Sequence, residues 1–162
     1  MAKVTIDKID RKILQLLVGN ARMPFLEVAR ECGISGAAIH QRVKKLDEQG
    51  VIRGSRLEVE PRLLGYDVCA FVGIRMQEPA LESAAIDHLR EIPEVVGCHH
   101  ITGKDNLLVK IYCKDHEHLM RTLSDKIRKI PGVVGTETIL SLAEAFSRQF
   151  DVSHLCDEEL RF

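Results

Sequence analysis

Between Ser35 and Gln49 the chain gathers His40, Gln41, Arg42, Lys44 and Lys45. An imidazole and a primary amide can hydrogen-bond base edges, while guanidinium and ammonium groups can neutralise phosphates. Ser35, Gly36 and Ala37 just before them are small, so the backbone there could approach a groove floor. If a helix starts at that point, its free N–H groups would face an anion. Arg22, Arg53 and Arg56 add cations on either side of the run. An isolated charge run is usually no more than a solvated surface. This one matters because of the turn it follows. A second set is Gly103, Lys104, Asp105 and Asn106, with Thr136 and Thr138 two residues apart further on. These groups could hold an ammonium or a carboxylate. Their plain alternative is a hairpin turn followed by ordinary strand threonines.

Two other clusters invite a chemical reading and lose it on spacing. Cys98-His99-His100 and Cys113-Lys114-Asp115-His116-Glu117-His118 are rich in metal-binding side chains. Neighbouring strand residues point to opposite faces, however, and neither cluster has the paired-ligand spacing of zinc motifs. No metal and no cofactor is expected. There is no G-x-S-x-G, Walker loop, H-E-x-x-H or Rossmann glycine run, so the chain does not read as an enzyme.

The elements that must position these residues fall into two halves with different periodicities. Asp7 is placed to cap a helix whose apolar stripe is Ile9, Ile13, Leu16 and Leu17, closed by Gly19 and Asn20. A second helix is expected from about Pro24 to Cys32, with Leu26, Val28 and Ala29 on its buried side. Gly33 breaks the chain, and Ser35 is the N-cap of a third helix running to Gln49. Ile39, Val43 and Leu46 share one face of it, leaving Gly36, Ala37, His40, Gln41, Lys44 and Lys45 outward. Two short helices joined by a glycine turn, after a supporting helix, make a helix-turn-helix. Val51, Ile52, Leu57 and Val59 then read as a short wing and linker strand ending at Pro61.

The back half repeats itself. Arg90-Glu91-Ile92-Pro93-Glu94-Val95-Val96-Gly97 recurs 38 residues later as Arg128-Lys129-Ile130-Pro131-Gly132-Val133-Val134-Gly135. Each copy follows a helical stretch (80–92 and 116–130) that is itself preceded by a strand, 68–76 or 107–113. Strand, helix, strand, used twice, predicts a ferredoxin-like βαββαβ unit: one antiparallel sheet with both helices on one face. The strands carry apolar residues toward both faces, so the uncovered face calls for a partner sheet, and a homodimer is the simplest supply. The tail from Ala143 to Phe162 holds Phe146, Phe150, Leu155, Leu160 and Phe162 among charges, which suits either a short helix packing on a neighbouring subunit or a frayed end.

Composition agrees with this division. Residues 1–60 hold 11 Lys/Arg against 8 Asp/Glu, and residues 61–162 hold 12 against 16, so the front half is the one suited to a polyanion. With 162 residues, 45% of them hydrophobic, two small packed domains are possible and wholesale disorder is excluded. No apolar run nears the ~20 residues of a membrane span, and the N-terminus lacks a secretory pattern. The five cysteines, Cys32, Cys69, Cys98, Cys113 and Cys156, are odd in number and scattered, which fits reduced thiols. A cytoplasmic location is expected.

Several of these segments together resemble the Lrp/AsnC family of feast/famine regulators. Ile9-Asp10-Arg11-Lys12-Ile13-Leu14 with Asn20-Ala21-Arg22 resembles that family's first helix. Gly33-Ile34-Ser35, Arg42-Val43-Lys44-Lys45-Leu46 and Gly50-Val51-Ile52 resemble its recognition helix and exit. Leu64-Gly65-Tyr66, Pro93-Glu94-Val95, Thr102-Gly103, Ile130-Pro131-Gly132-Val133 and Thr136-Glu137-Thr138 follow in the family's order. The resemblance implies an α+β chain. A winged helix-turn-helix over 1–52 and a wing and linker strand over 53–65 precede a RAM/ACT-like effector domain over 66–142 and a tail over 143–162.

It also implies double-stranded DNA as partner, an amino-acid effector, dimers that assemble further, often to octamers, and control of transcription. The DNA contacts would be Ser35, Gly36, Ala37, His40, Gln41, Arg42, Lys44, Lys45, Arg22 and Arg53. The effector contacts would be Gly103, Lys104, Asp105, Asn106, Thr136 and Thr138. Two departures are visible: where the family has Gly-x-Tyr-Asp, this chain has Gly103-Lys104-Asp105-Asn106, and Pro24 stands where the family commonly has a Ser cap. An architectural DNA-binding protein or a stand-alone small-molecule module are the alternatives of different class.

Overall fold

The computed structural model describes residues 4–154; the expectations for Leu155, Cys156, Leu160 and Phe162 lie outside them. The chain divides into two compact units, residues 1–57 with 146–162 and residues 58–145.

In the first unit, α1 (Lys8–Gly19) begins at Asp7, whose carboxylate accepts the Asp10 N–H at 2.8 Å while Asp10 reaches back to the Asp7 N–H. This reciprocal box satisfies two donors that a helix start otherwise leaves open. α2 (Phe25–Cys32) follows Pro24, whose fixed φ suits a helix entry, and stops at Gly33, which sits in the left-handed region at φ 67°. That turn aims α3 (Gly36–Glu48), capped by the Ser35 hydroxyl accepting the Ala38 N–H. Ile13, Val28, Ala29 and Ile39 are buried together, with Val43 packed against them. Each fully buried aliphatic side chain contributes roughly 1.5–3 kcal/mol, so this small cluster is what holds the three helices at fixed angles.

The second unit contains β1 (Val68–Met76), α4 (Glu82–Arg90), β2 (Val95–His100), β3 (Leu107–Cys113), α5 (His116–Arg121) and β4 (Val133–Ser141). All neighbouring pairs are antiparallel in the order β2-β3-β1-β4, the expected split βαβ arrangement. Alternation sorts the faces: Ala70, Val72, Ile74, Leu107, Val109 and Ile111 are fully buried under the helices against Ala85, Leu89 and Ile127. The opposite face carries Phe71, Leu108, Lys110, Tyr112 and Ile139, and Ile139 is 59% exposed. On it the Lys110 ammonium lies over the Phe71 and Tyr112 rings at 5.9 and 5.2 Å.

Two expectations are corrected. The wing and linker strand over 53–65 forms no strand: Arg53 to Glu60 pairs with no ladder among the described residues, and Pro61–Leu64 closes a 3-10 turn. Within the single chain this segment meets no sheet edge among the described residues, and Leu57 and Val59 are exposed. The helix expected over 116–130 is continuous but irregular: α5 passes into a π turn at Thr122–Lys126 and a 3-10 turn at Ile127–Lys129.

The π turn has a visible consequence. Lys126 donates to both Glu94 oxygens at 2.7 and 2.8 Å, and His118 Nε2 lies 2.9 Å from the same carboxylate. Lys114 N–H donates to His118 Nδ1, which leaves the Nε2–H to donate to Glu94. Burial alone would raise the Glu94 carboxyl, but the Lys126 and His118 hydrogen bonds hold it below its ordinary value. Its neighbours Pro93 and Val96 line an apolar depression of about 220 Å³ with Pro61, Leu64, Tyr66 and Tyr112.

Candidate functional site

The exposed side of α3 is built as the sequence requires. Ile39 and Leu46 point inward at 0% and 2% exposure, and this turns Ala37, His40, Gln41, Lys44 and Lys45 to the surface. Gly36 is half-buried at the helix start, and Ser35 is occupied in capping. His40 is held edge-on against the Phe25 ring, centroids 4.9 Å apart, so its imidazole is oriented before any ligand arrives. Lys44 has an i,i+4 partner in Glu48 at 3.7 Å, with both side chains mostly exposed. Arg22 is exposed in the turn after α1, where its N–H donates to the Asn20 side chain, and Arg53 is exposed just past α3.

Arg42 stands apart from this row. Its Nη1 lies 2.6 Å from Asp7 Oδ2 and 2.6 Å from Asp10 Oδ1, binding α3 to the start of α1. The hydrogen bonds to Asp7 and Asp10 push the guanidinium pKa up, and the Asp7 carboxyl sits below its ordinary value despite the opposing effect of burial. Nothing in the spacing of Asp7, Asp10 and Arg42 announced this contact, because it joins residues 35 and 32 positions apart.

The second candidate set is distributed over both sides of the sheet. Gly103, at φ 117°, turns the chain between β2 and β3. Asp105 folds onto the uncovered face above Gly73, and is 7% exposed. A β-carbon at Gly73 would lie 2.4 Å from Asp105 Oδ2, so the close approach requires glycine there. The Arg75 guanidinium is 3.5 Å from Asp105 Oδ1, an ion pair without hydrogen-bond geometry, and Oδ1 has no hydrogen-bond donor among the described residues. Lys104 pairs with Glu137 on the same face.

Asn106 turns the other way. Its amide oxygen accepts the Met76 N–H at 2.9 Å and its Nδ2 donates to Glu82 at 2.9 Å, beside His100. Thr136 and Thr138 share a face, as period two demands, opposite the helix-facing Ile74 and Val72 of β1. Arg128 donates to the Thr136 hydroxyl at 3.0 Å. Of the six residues, Lys104 and Asp105 lie toward the uncovered face, Asn106, Thr136 and Thr138 toward the helices, and Gly103 in the turn between them. Glu82, Arg75, Glu137 and Arg128 were not singled out from sequence, since Arg75 and Glu137 owe their places to strand register and Glu82 and Arg128 to how the helical segments pack on the sheet. Among the described residues no three His, Cys, Asp or Glu side chains gather as metal ligands, and no helix is long and apolar enough to cross a membrane.

A capped helix with an exposed basic and amide row, on a three-helix unit followed by a ferredoxin-like unit, defines a DNA-binding protein with a ligand-sensing domain. The chain belongs to the Lrp/AsnC family of transcriptional regulators, matching a winged helix-turn-helix DNA-binding model over residues 6–53 and the Lrp/AsnC ligand binding domain over 69–149. The regulatory protein AsnC of Escherichia coli is 36% identical over 148 residues, spanning 91% of this chain and 97% of the relative. Its solved structure superposes with a TM-score of 0.83 at 35% identity, covering 91% of this chain and 99% of that one. The transcriptional regulator FL11 of Pyrococcus horikoshii is 35% identical over 140 residues, 86% of this chain and 91% of its own. A Neisseria meningitidis transcriptional regulator, solved with L-methionine, shares the fold at a TM-score of 0.81 and 24% identity, covering 89% and 94% of the two chains. The chain is accordingly a regulator of transcription and not an enzyme.

Proposed function

We propose that this regulator reads DNA with the exposed row of α3 and answers to an amino-acid effector through the loop Gly103–Asn106 and its surroundings. The observation that carries the first half is the row itself: Ala37, His40, Gln41, Lys44 and Lys45 all face solvent from a helix whose other side is locked by Ile39 and Leu46. Lys44 and Lys45 are assigned to phosphates, His40 and Gln41 to base edges, and Arg22 and Arg53 to the flanking backbone. Gly36 lets the helix start lie close to the duplex. The capped N-terminus at Ser35 offers its N–H groups to a phosphate.

The effector half rests on the uncovered-face part of that loop, where the buried Asp105 carboxylate has an oxygen without a hydrogen-bond donor among the described residues and stands beside Arg75 and Lys104; Asn106, Thr136 and Thr138, on the other side of the sheet, would act only by holding the loop. An amino acid's ammonium and carboxylate suit such a set. The L-methionine complex of a protein with the same fold supports an amino acid as the effector class. A homodimer through the uncovered sheet face, assembling further to octamers in the cytoplasm, completes the proposal. Effector binding would shift that assembly, and with it the spacing of two α3 helices against half-sites ~34 Å apart.

The test is a binding series on DNA upstream of the protein's own gene at several salt concentrations. Replacing Lys44 and Lys45 by Ala is expected to weaken binding and to lower the slope of log affinity against log salt by about two. Unchanged affinity would remove α3 from its assigned role.

A further inference from the structure

Arg42 lies on the helix assigned to DNA, among residues of the right chemistry, yet its environment opposes a phosphate contact. Its Nη1 bridges Asp7 and Asp10 at 2.6 Å each. Each of those carboxylates is fully committed. One Asp7 oxygen accepts the Asp10 N–H and the other accepts Arg42. One Asp10 oxygen accepts the Asp7 N–H and the other accepts Arg42. The three groups together carry one positive charge against two negative, so Arg42 adds no net attraction for a phosphate, unlike Lys45 beside it. A phosphate that took Nη1 would break both ion pairs and leave Asp10, 6% exposed, without its cation, and one that approached Nη2 or Nε would do so beside two carboxylates.

We infer that Arg42 is a positioning residue. It fixes the rotation and tilt of α3 by fastening that helix to the capping box of α1, and it thereby sets where His40 and Gln41 fall against the base edges. Arg42 follows Gln41 directly and lies one turn before Lys45, so a slackened bond here moves the reading row itself. The inference rests on α3 being the reading helix. It makes Asp7 and Asp10 determinants of sequence discrimination, although neither touches DNA.

The experiment uses the full chain, the duplex it selects most tightly from a random pool, and a scrambled duplex of equal length. A lost phosphate contact weakens both duplexes alike and lowers the salt slope by about one. A lost positioning contact spares the salt slope and the scrambled duplex. For Arg42→Ala we expect the ratio of selected to scrambled affinity to fall by about tenfold, the scale of one base contact, with the slope unchanged. Asp7→Asn keeps a good helix cap and removes no cation; it is expected to lower the same ratio. Arg42→Lys, a single ammonium in place of a planar fork, should fall between. Equal loss on both duplexes with a reduced slope, or an unaltered ratio in Asp7→Asn, overturns the inference. Should Arg42→Ala fail to fold, Asp7→Asn and Arg42→Lys decide the matter alone. Lys44→Ala is the control for α3 itself: if it leaves the slope unchanged, the reading-helix assignment fails, and that result is distinct from any outcome at Arg42.

Discussion

Gly73 and Asp105 are complementary in the strict sense that one has no side chain so that the other can be buried. A methyl group at Gly73 would overlap Asp105 Oδ2 at 2.4 Å. Gly73→Ala is expected to destabilise the second unit by about 1–3 kcal/mol, the usual cost of overpacking, read as a lowered thermal midpoint. Adding Asp105→Ala should recover part of that loss, because it removes the atom struck. The sequence made Asp105 visible as a charge in a glycine turn, and the period-two spacing of Thr136 and Thr138 put them on one face correctly. Which face each residue would choose was not legible. A turn can send consecutive side chains to opposite sides of the sheet, as Asp105 and Asn106 do, and only the register with β1 decides it.

At the scale of elements, caps and glycine stops were the readable features. Asp7, Gly33 and Ser35 each stand where a helix starts or stops, because their side chains, or the lack of one, act within four residues along the chain. The tight packing behind α3 predicts that Ile39→Ala, at a fully buried position, costs about 2–5 kcal/mol. Urea unfolding of the full chain, followed by circular dichroism, would measure it. What escaped sequence was interaction at a distance. The π turn that brings Lys126 to Glu94 has no local signature, and alternation over Arg53 to Glu60 says nothing about where an edge to pair on would lie.

Glu94 yields a pH prediction with a definite sign. Its folded pKa lies below the ordinary 4.5, so its stabilisation is fully present above about that pH and disappears as pH falls through the folded value. Glu94→Gln should lose roughly 1–2 kcal/mol at neutral pH, less than for a fully buried pair because Lys126 is 42% exposed. The variant and the parent should converge in acid, as denaturant midpoints measured across pH 3–7 would reveal.

For the whole molecule, the proposed dimer makes the uncovered sheet face the decisive surface. Ile139, 59% exposed, lies opposite Phe71 in the β1–β4 ladder, so a charge placed there would be buried in a paired sheet but harmless in a lone one. Ile139→Asp is expected to sediment as a monomer with an unchanged far-ultraviolet spectrum; a dimer of parental strength would point to another interface. The division into a helical and a mixed half was readable because periodicity and the 38-residue repeat both change with it, whereas the face proposed for self-association was readable only as a surplus of apolar residues.

The unladdered stretch from Arg53 to Glu60 bears on promoter architecture. Eight residues without secondary structure reach at most ~26–29 Å, and removing four takes away ~13–14 Å. Half a duplex turn displaces a half-site by ~17 Å and carries it to the far side of the helix. A shortened tether would therefore narrow the set of operator phasings the protein tolerates, while each unit melts as before.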